Sequence, residues 1–163
     1  MVKRKAFTLI EIMVTVAIIG ILFTMGPSMF MNLQRFYLQH NSRADIQSEI
    51  RVIMDNMDRT IRQASAASVN VSQDTGSPPY SKISFTTIDG RSVVYKQSGR
   101  QLIQTIAGNT KALSKNIYYL AFTYPKTDTN TVVSISITLQ KATFEGRTTA
   151  IQMAITKVRI MNP

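Results

Sequence analysis

The sequence predicts an α+β fold: one long N-terminal helix, membrane-spanning in its first half, packed on antiparallel sheet of about six strands. Three observations carry this expectation. From Ile12 to Gln34 no residue is charged and most side chains are apolar. From Ile46 to Ala64 apolar residues recur every three or four positions. Beyond Ser81 the period drops to two, and glycine-containing pairs punctuate short runs rich in β-branched residues. A long helical pattern followed by a series of strands is the signature of an α+β domain.

The apolar run comes first. About 20 apolar residues cross the hydrocarbon core of a bilayer, so residues 7–33 are expected to anchor the chain and residues 34–163 to form a polar domain outside the cytoplasm. Lys3, Arg4 and Lys5 precede the run, and positive residues in that place stay cytoplasmic. A cleaved secretory signal has a shorter apolar core and a small-x-small exit site, and neither is present. A plain signal anchor accounts for the charges and the length but not for Glu11. A carboxylate at the centre of a membrane helix costs about 2.5–3.5 kcal/mol, less near its end, and one retained there calls for a partner cation. A chain cut just before Phe7 would supply one, because the new amine would lie four residues from Glu11 at the start of a helix. Both the amine and the helix N-terminus favour a negative charge.

Gly20, Gly26 and Pro27 interrupt the run. Proline lacks a donor and clashes with the carbonyl four residues earlier, that of Phe23, so a kink or a melted turn is expected near Phe23–Pro27. The helix then continues as an amphipathic one. Ile46, Ile50, Ile53, Met57, Ile61 and Ala64 form a single stripe, and Asp55–Arg59 and Asp58–Arg62 are acid-to-base pairs four apart. From Phe7 to about Ala67 such a helix would measure roughly 90 Å. Ser68–Ser81, with Gly76, Pro78 and Pro79, reads as a loop. Strands are expected at Lys82–Ile88, Ser92–Gln97 and Gln101–Ile106, separated by the hairpin pairs Asp89-Gly90 and Ser98-Gly99, and Gly108-Asn109 closes this meander. A second group covers Ile117–Tyr124, Thr131–Lys141 and Thr148–Ile160, with turns at Pro125–Asn130 and Glu145-Gly146. Val133, Ile135, Ile137 and Leu139 alternate with polar residues, as do Ile151, Met153 and Ile155. The helix stripe supplies one side of the core and the two strand groups the other.

Lys5-Ala6-Phe7-Thr8-Leu9-Ile10-Glu11 resembles the processing site of type IV prepilins and type II secretion pseudopilins. Their signature is a basic leader, a small residue, Phe-Thr-Leu-Ile/Leu-Glu and an apolar helix. The resemblance implies a type IV pilin-like fold and a leader, residues 1–6, removed by a prepilin peptidase between Ala6 and Phe7. It implies methylation of the Phe7 amine and a docking role for Glu11, which would neutralise a neighbouring subunit's amine inside a filament. It also implies that Gly20, Gly26 and Pro27 loosen the helix there. The family usually has Gly where this chain has Ala6, and the extra methyl bears on the rate of cleavage. Further along, "DNMDRTIRQ" (Asp55–Gln63) and the order "NIYYLAFTY", "VVSISITL" and a terminal "VRIMN" are similar to J-type minor pseudopilins and W-type minor pilins. Glu11 argues against the K-type subunit. The lack of a cysteine pair and of a calcium loop argues against a major one. The expected partners are the peptidase, other minor and major subunits, the inner-membrane assembly platform and membrane lipid. The expected location is the bacterial inner membrane, single-pass, and then the filament.

Composition narrows the alternatives. There is no cysteine, which excludes a disulfide, a thiolate nucleophile and a thiolate metal site. His40 is the one histidine, and a metal needs several donors. No Gly-x-Ser-x-Gly and no phosphate-binding glycine loop occurs, so neither an enzymatic activity nor a cofactor is expected. Asp74, Asp89 and Asp128 fall in separate turns. Tyr118, Tyr119, Phe122 and Tyr124 resemble a base-stacking strand only superficially, since alternation sends half of them to the core. After Gln34 there are 16 basic and 8 acidic residues, within a chain of net charge +10. Most simply this is a solvated basic surface. The alternative is a tip subunit of an uptake pilus that captures DNA, and a signal-anchored enzyme comes third.

Overall fold

The computed structural model describes residues 7–74, 76–125, 131–144 and 148–162. The basic leader with Ala6, residues 126–130 of the first expected turn (with Asp128), and Glu145-Gly146 lie outside the described residues. The chain divides into two compact units, one up to His40 and one from Asn41 onward.

In the first unit, helix α1 (Leu9–Arg62) starts two residues later than Phe7. Its side chains from Phe7 to Tyr37 are exposed all round, and it is long and apolar enough to cross a membrane. The helix runs through Gly20, Gly26 and Pro27 without interruption. Pro27 offers no N–H to the carbonyl of Phe23. Nearby hydroxyls fold back instead: Thr24 Oγ1 donates to the carbonyl of Ile21 at 2.7 Å and Ser28 Oγ to that of Met25 at 2.9 Å.

The second unit holds the rest of α1 and eight strands, not six. β1 (Asn70–Ser72), β2 (Lys82–Thr86), β3 (Ser92–Ser98), β4 (Gln101–Ile106) and β5 (Asn109–Ser114) form one antiparallel sheet in chain order. β6 (Ile117–Thr123), β7 (Val132–Phe144) and β8 (Thr148–Arg159) form a second. The two extra strands are β1 and β5. β1 is three residues long and sits where a loop was expected. β5 carries Asn109, Thr110, Lys111 and Ala112 exposed, so no apolar alternation marks it. Its pairing comes from the turn before it. Ala107 and Gly108 both have positive φ, 48° and 85°, and join Ile106 to its partner Asn109, which is the two-residue geometry that matches strand twist.

The helix stripe is core. Ile46, Met57 and Ile61 are fully buried, and Ile50 and Ile53 nearly so. They meet Ile83, Tyr95, Leu102, Leu120, Phe122 and the β7 row Val133, Ile135, Ile137 and Leu139. Polar contacts cross this interface as well, among them Asn116 Nδ2 to Glu49 Oε2 at 3.0 Å and Lys141 Nζ to Asp45 Oδ2 at 2.7 Å. Tyr95 OH donates to Asn56 Oδ1 at 3.0 Å, and Gln104 Nε2 reaches both, at 2.7 Å and 3.2 Å. Of the two expected ion pairs on α1, Asp58–Arg62 closes at 2.7 Å, while Asp55 and Arg59 are both exposed. The helix ends at Arg62 rather than near Ala67, and the residues that follow β2 and β8 bond to its end. Ile88 N–H donates to the carbonyl of Gln63, and Met161 N–H to that of Arg62, each at 3.2 Å. β8 departs from expectation in its orientation: Ala150 and Val158 are buried, whereas Ile151, Met153 and Ile155 face solvent.

Candidate assembly site at the start of the helix

The first turn of α1 is built by Thr8-Leu9-Ile10-Glu11. Helix starts leave backbone N–H groups without partners, and inside a bilayer no water is present to satisfy them. Here Thr8 is the residue before the first helical one and Glu11 the third within it. The Thr8 N–H donates to Glu11 Oε2 at 2.9 Å, Thr8 Oγ1 donates to the same oxygen at 3.1 Å, and the Glu11 N–H donates to Thr8 Oγ1 at 3.3 Å. This is a reciprocal capping box. Its sequence signal, Thr-x-x-Glu before an apolar run, is present in the chain, yet a reading of Glu11 as a group awaiting an external cation passes over Thr8. Glu11 has an intramolecular use: it covers its own helix terminus and receives two donors in return.

The carboxylate is also exposed. Phe7, Leu9, Ile10 and Ile12 are exposed, Phe7 at 81%, and among the described residues none buries the carboxylate. Phe7 precedes the helix, one residue before the cap. Ala6, on the other side of the expected cut, lies outside the described residues. Further along, Leu22, Phe23, Gly26 and Pro27 line a shallow apolar notch of about 390 Å³. A Cβ added at Gly20 or Gly26 would meet nothing within 4 Å, so packing within this chain does not require either glycine.

The other candidate groups do not converge on a site. His40 lies against the ring of Phe36, centroids 4.2 Å apart. Asp74 pairs with Lys96 at 2.8 Å and Asp89 with Arg91 at 2.5 Å. Among the described residues, no three potential metal ligands cluster. In the β6 aromatic run Phe122 is core, and Tyr124 OH donates to the carbonyl of Val69 at 3.2 Å. A register shift between Ile117 and Tyr119 leaves Tyr118 and Tyr119 both exposed.

A family model described as the prokaryotic N-terminal methylation motif matches residues 1–26. The match spans the basic leader, the Ala6–Phe7 bond, the capped first turn and the apolar helix as far as Gly26. It supports a type IV prepilin-like, membrane-anchored chain that is a substrate for leader cleavage and N-methylation. No curated protein and no solved structure matches the chain.

Proposed function

We propose that this chain is a minor pilin or pseudopilin, a structural subunit that helps to prime or cap a type IV pilus or a type II secretion pseudopilus. The observation that carries the reading is the methylation motif over residues 1–26, whose one acidic residue stands at the exposed start of an apolar helix. In this reading a prepilin peptidase removes residues 1–6 by cutting between Ala6 and Phe7, and the new Phe7 amine is methylated. The chain waits in the inner membrane, N-terminus cytoplasmic and the domain from Gln34 outside, until the assembly platform extracts it.

The capping box explains how Glu11 is tolerated meanwhile. Its oxygen already accepts two hydrogen bonds from Thr8, which offsets part of the cost of a carboxylate in lipid. Docking then exchanges these bonds for a charge-assisted one to a neighbour's amine, and such bonds are roughly twice as strong as neutral ones. The exchange is favourable only where a cation is present, so an unassembled subunit keeps its cap. Gly20, Gly26 and Pro27 are the positions where the helix would loosen on packing into the filament. α1 is continuous in the single chain, but the Phe23 carbonyl already lacks its donor there. A minor role is supported by the absence of cysteine and by the likeness to the J and W branches.

Mass spectrometry of the N-terminal peptide tests the reading. The expected product begins at Phe7 with a methylated amine. An intact Met1 start in cells holding an active prepilin peptidase would overturn it.

A further inference from the structure

We propose that the outer edge of β8 is a docking edge for an extended segment of a partner protein, apolar at alternate positions and carrying carboxylates at one end. This surface lies wholly within the second unit and does not depend on processing at Phe7.

The backbone comes first. The Ile160 N–H donates to the carbonyl of Thr131 at 2.8 Å, in register with the Val132↔Arg159 to Ala142↔Thr149 pairing of β7 and β8. Hydrogen-bonded and non-bonded pairs alternate along an antiparallel ladder. The even residues of β8 therefore bond to β7, and Ile151, Met153, Ile155, Lys157 and Arg159 turn their N–H and C=O groups outward. Met161 confirms the phase, since its N–H points away from β7 to the carbonyl of Arg62. Among the described residues, no other strand pairs with this edge. At 12 residues β8 is long for an edge, and natural edges are ordinarily kept short, charged or covered.

The side chains of the same residues form the second observation. Ile151, Met153 and Ile155 are 58%, 56% and 58% exposed, and across from them on β7 stand only Gln140, Thr138 and Ser136. Lys157 and Arg159 complete the row, both exposed. The ion pairs of the described residues use other cations. Next to this row a groove of about 470 Å³ opens between β8 and α1, lined by Ile50, the exposed Arg51, Met54, Ala154 and Ile155 among others. An added strand would set one row of side chains on Ile151–Ile155 and the other over this groove. Backbone pairing would supply affinity and the alternate side chains selectivity. The charge of the row decides the occupant: apolar residues opposite the isoleucines, carboxylates opposite Lys157 and Arg159.

The test uses the full chain in neutral detergent micelles and two fluorescent peptides, Glu-Thr-Glu-Thr-Val-Thr-Ile-Thr-Val and the same peptide with Lys for each Glu. In antiparallel register the charged residues face Arg159 and Lys157, and the apolar ones face Ile155, Met153 and Ile151. The acidic peptide should bind saturably, the basic one at least about tenfold more weakly. Amide exchange at Ile151–Lys157 should slow on binding. Met153→Pro deletes one outward donor without touching the β7 ladder and should weaken binding about tenfold, Met153→Ala much less. Lys157→Glu with Arg159→Glu should reverse the preference, and this pair carries the test if the proline variant melts early. Equal binding of both peptides, indifference to the charge reversal, or no binding overturns the proposal. So does protection of β8 that rises with protein concentration alone, which makes a second copy the occupant. Protection confined to anionic micelles, which makes a lipid surface the occupant, also overturns it.

Discussion

Glu11→Gln separates the cap that Glu11 forms from the docking role proposed for it, because a glutamine keeps the cap and loses the charge. In the structure the carboxylate accepts from the Thr8 N–H at 2.9 Å and from Thr8 Oγ1 at 3.1 Å, and the Gln carbonyl can accept both. Capping boxes accept Glu or Gln at this position, so the first turn should be preserved. Glu11→Ala removes the acceptor, and losing a cap costs about 1 kcal/mol, roughly a fivefold increase in fraying of the first turn. Thr8→Val removes the hydroxyl alone and with it the 3.1 Å and 3.3 Å bonds, while the carboxylate and the Thr8-position N–H remain. The proposed docking depends on the charge. A hydrogen bond to a charged group is worth about 1.5–3 kcal/mol, a factor of roughly 10 to 150 in subunit association. Incorporation, measured by immunoblot of sheared filaments against membrane-retained subunit, should therefore fall by at least tenfold in both Gln and Ala variants. In Thr8→Val it should fall by no more than about fivefold. Amide exchange at Leu9–Glu11 should order the same variants differently, Gln close to wild type and Ala fastest. If Glu11→Gln assembles at wild-type levels, Glu11 acts as a cap only and the docking role is wrong.

The remaining predictions concern the second unit. Ile53 is 3% exposed and its neighbour Val52 66%, so in a fragment from Gln34 onward Ile53→Asp should cost several kcal/mol, and Val52→Asp about 0.5 kcal/mol. Similar melting temperatures for the two would mean that the stripe is not core. Arg91→Ala breaks a pair exposed on both sides and should shift stability by less than about 0.5 kcal/mol. Burial pushes the Tyr95 phenol above its usual range, so the folded state holds that proton more tightly than the unfolded one. Stability should be intact below about pH 10 and decline as pH rises past it. Burial pushes Tyr124 up as well, so Tyr95→Phe should flatten the alkaline limb of a denaturation-versus-pH curve without abolishing it. An unchanged limb would remove Tyr95 as its source. DNA retention that survives physiological salt would favour a DNA-binding tip subunit, since unspecific electrostatic binding falls steeply with salt.

Much of the architecture is written in one-dimensional patterns. An uncharged run from Ile12 to Gln34 has to be a helix if it enters lipid, because only a helix satisfies its own backbone there. The three-or-four spacing from Ile46 to Ile61 marks a stripe that only burial explains. Ser98-Gly99 places a turn, and Gly99 adopts φ +58° as a first turn residue that a side chain would disfavour. Thr-x-x-Glu contains the capping box in full, since both partners lie within one turn. What is missing from the sequence is long-range. β5 exists because Ala107-Gly108 folds it onto β4, not because its side chains alternate. Asn56, Tyr95 and Gln104 meet from positions 39 and 48 residues apart, and nothing local announces the contact. β8 is the clearest case. A period of two states that Ile151, Met153 and Ile155 share a face, but it carries no sign, and a change of face inverts every side chain at once. The tertiary structure supplies the sign: the smaller Ala150 and Ala154 face the core, Ala154 sharing a groove with Ile50 and Met54 of α1, and the apolar row faces out.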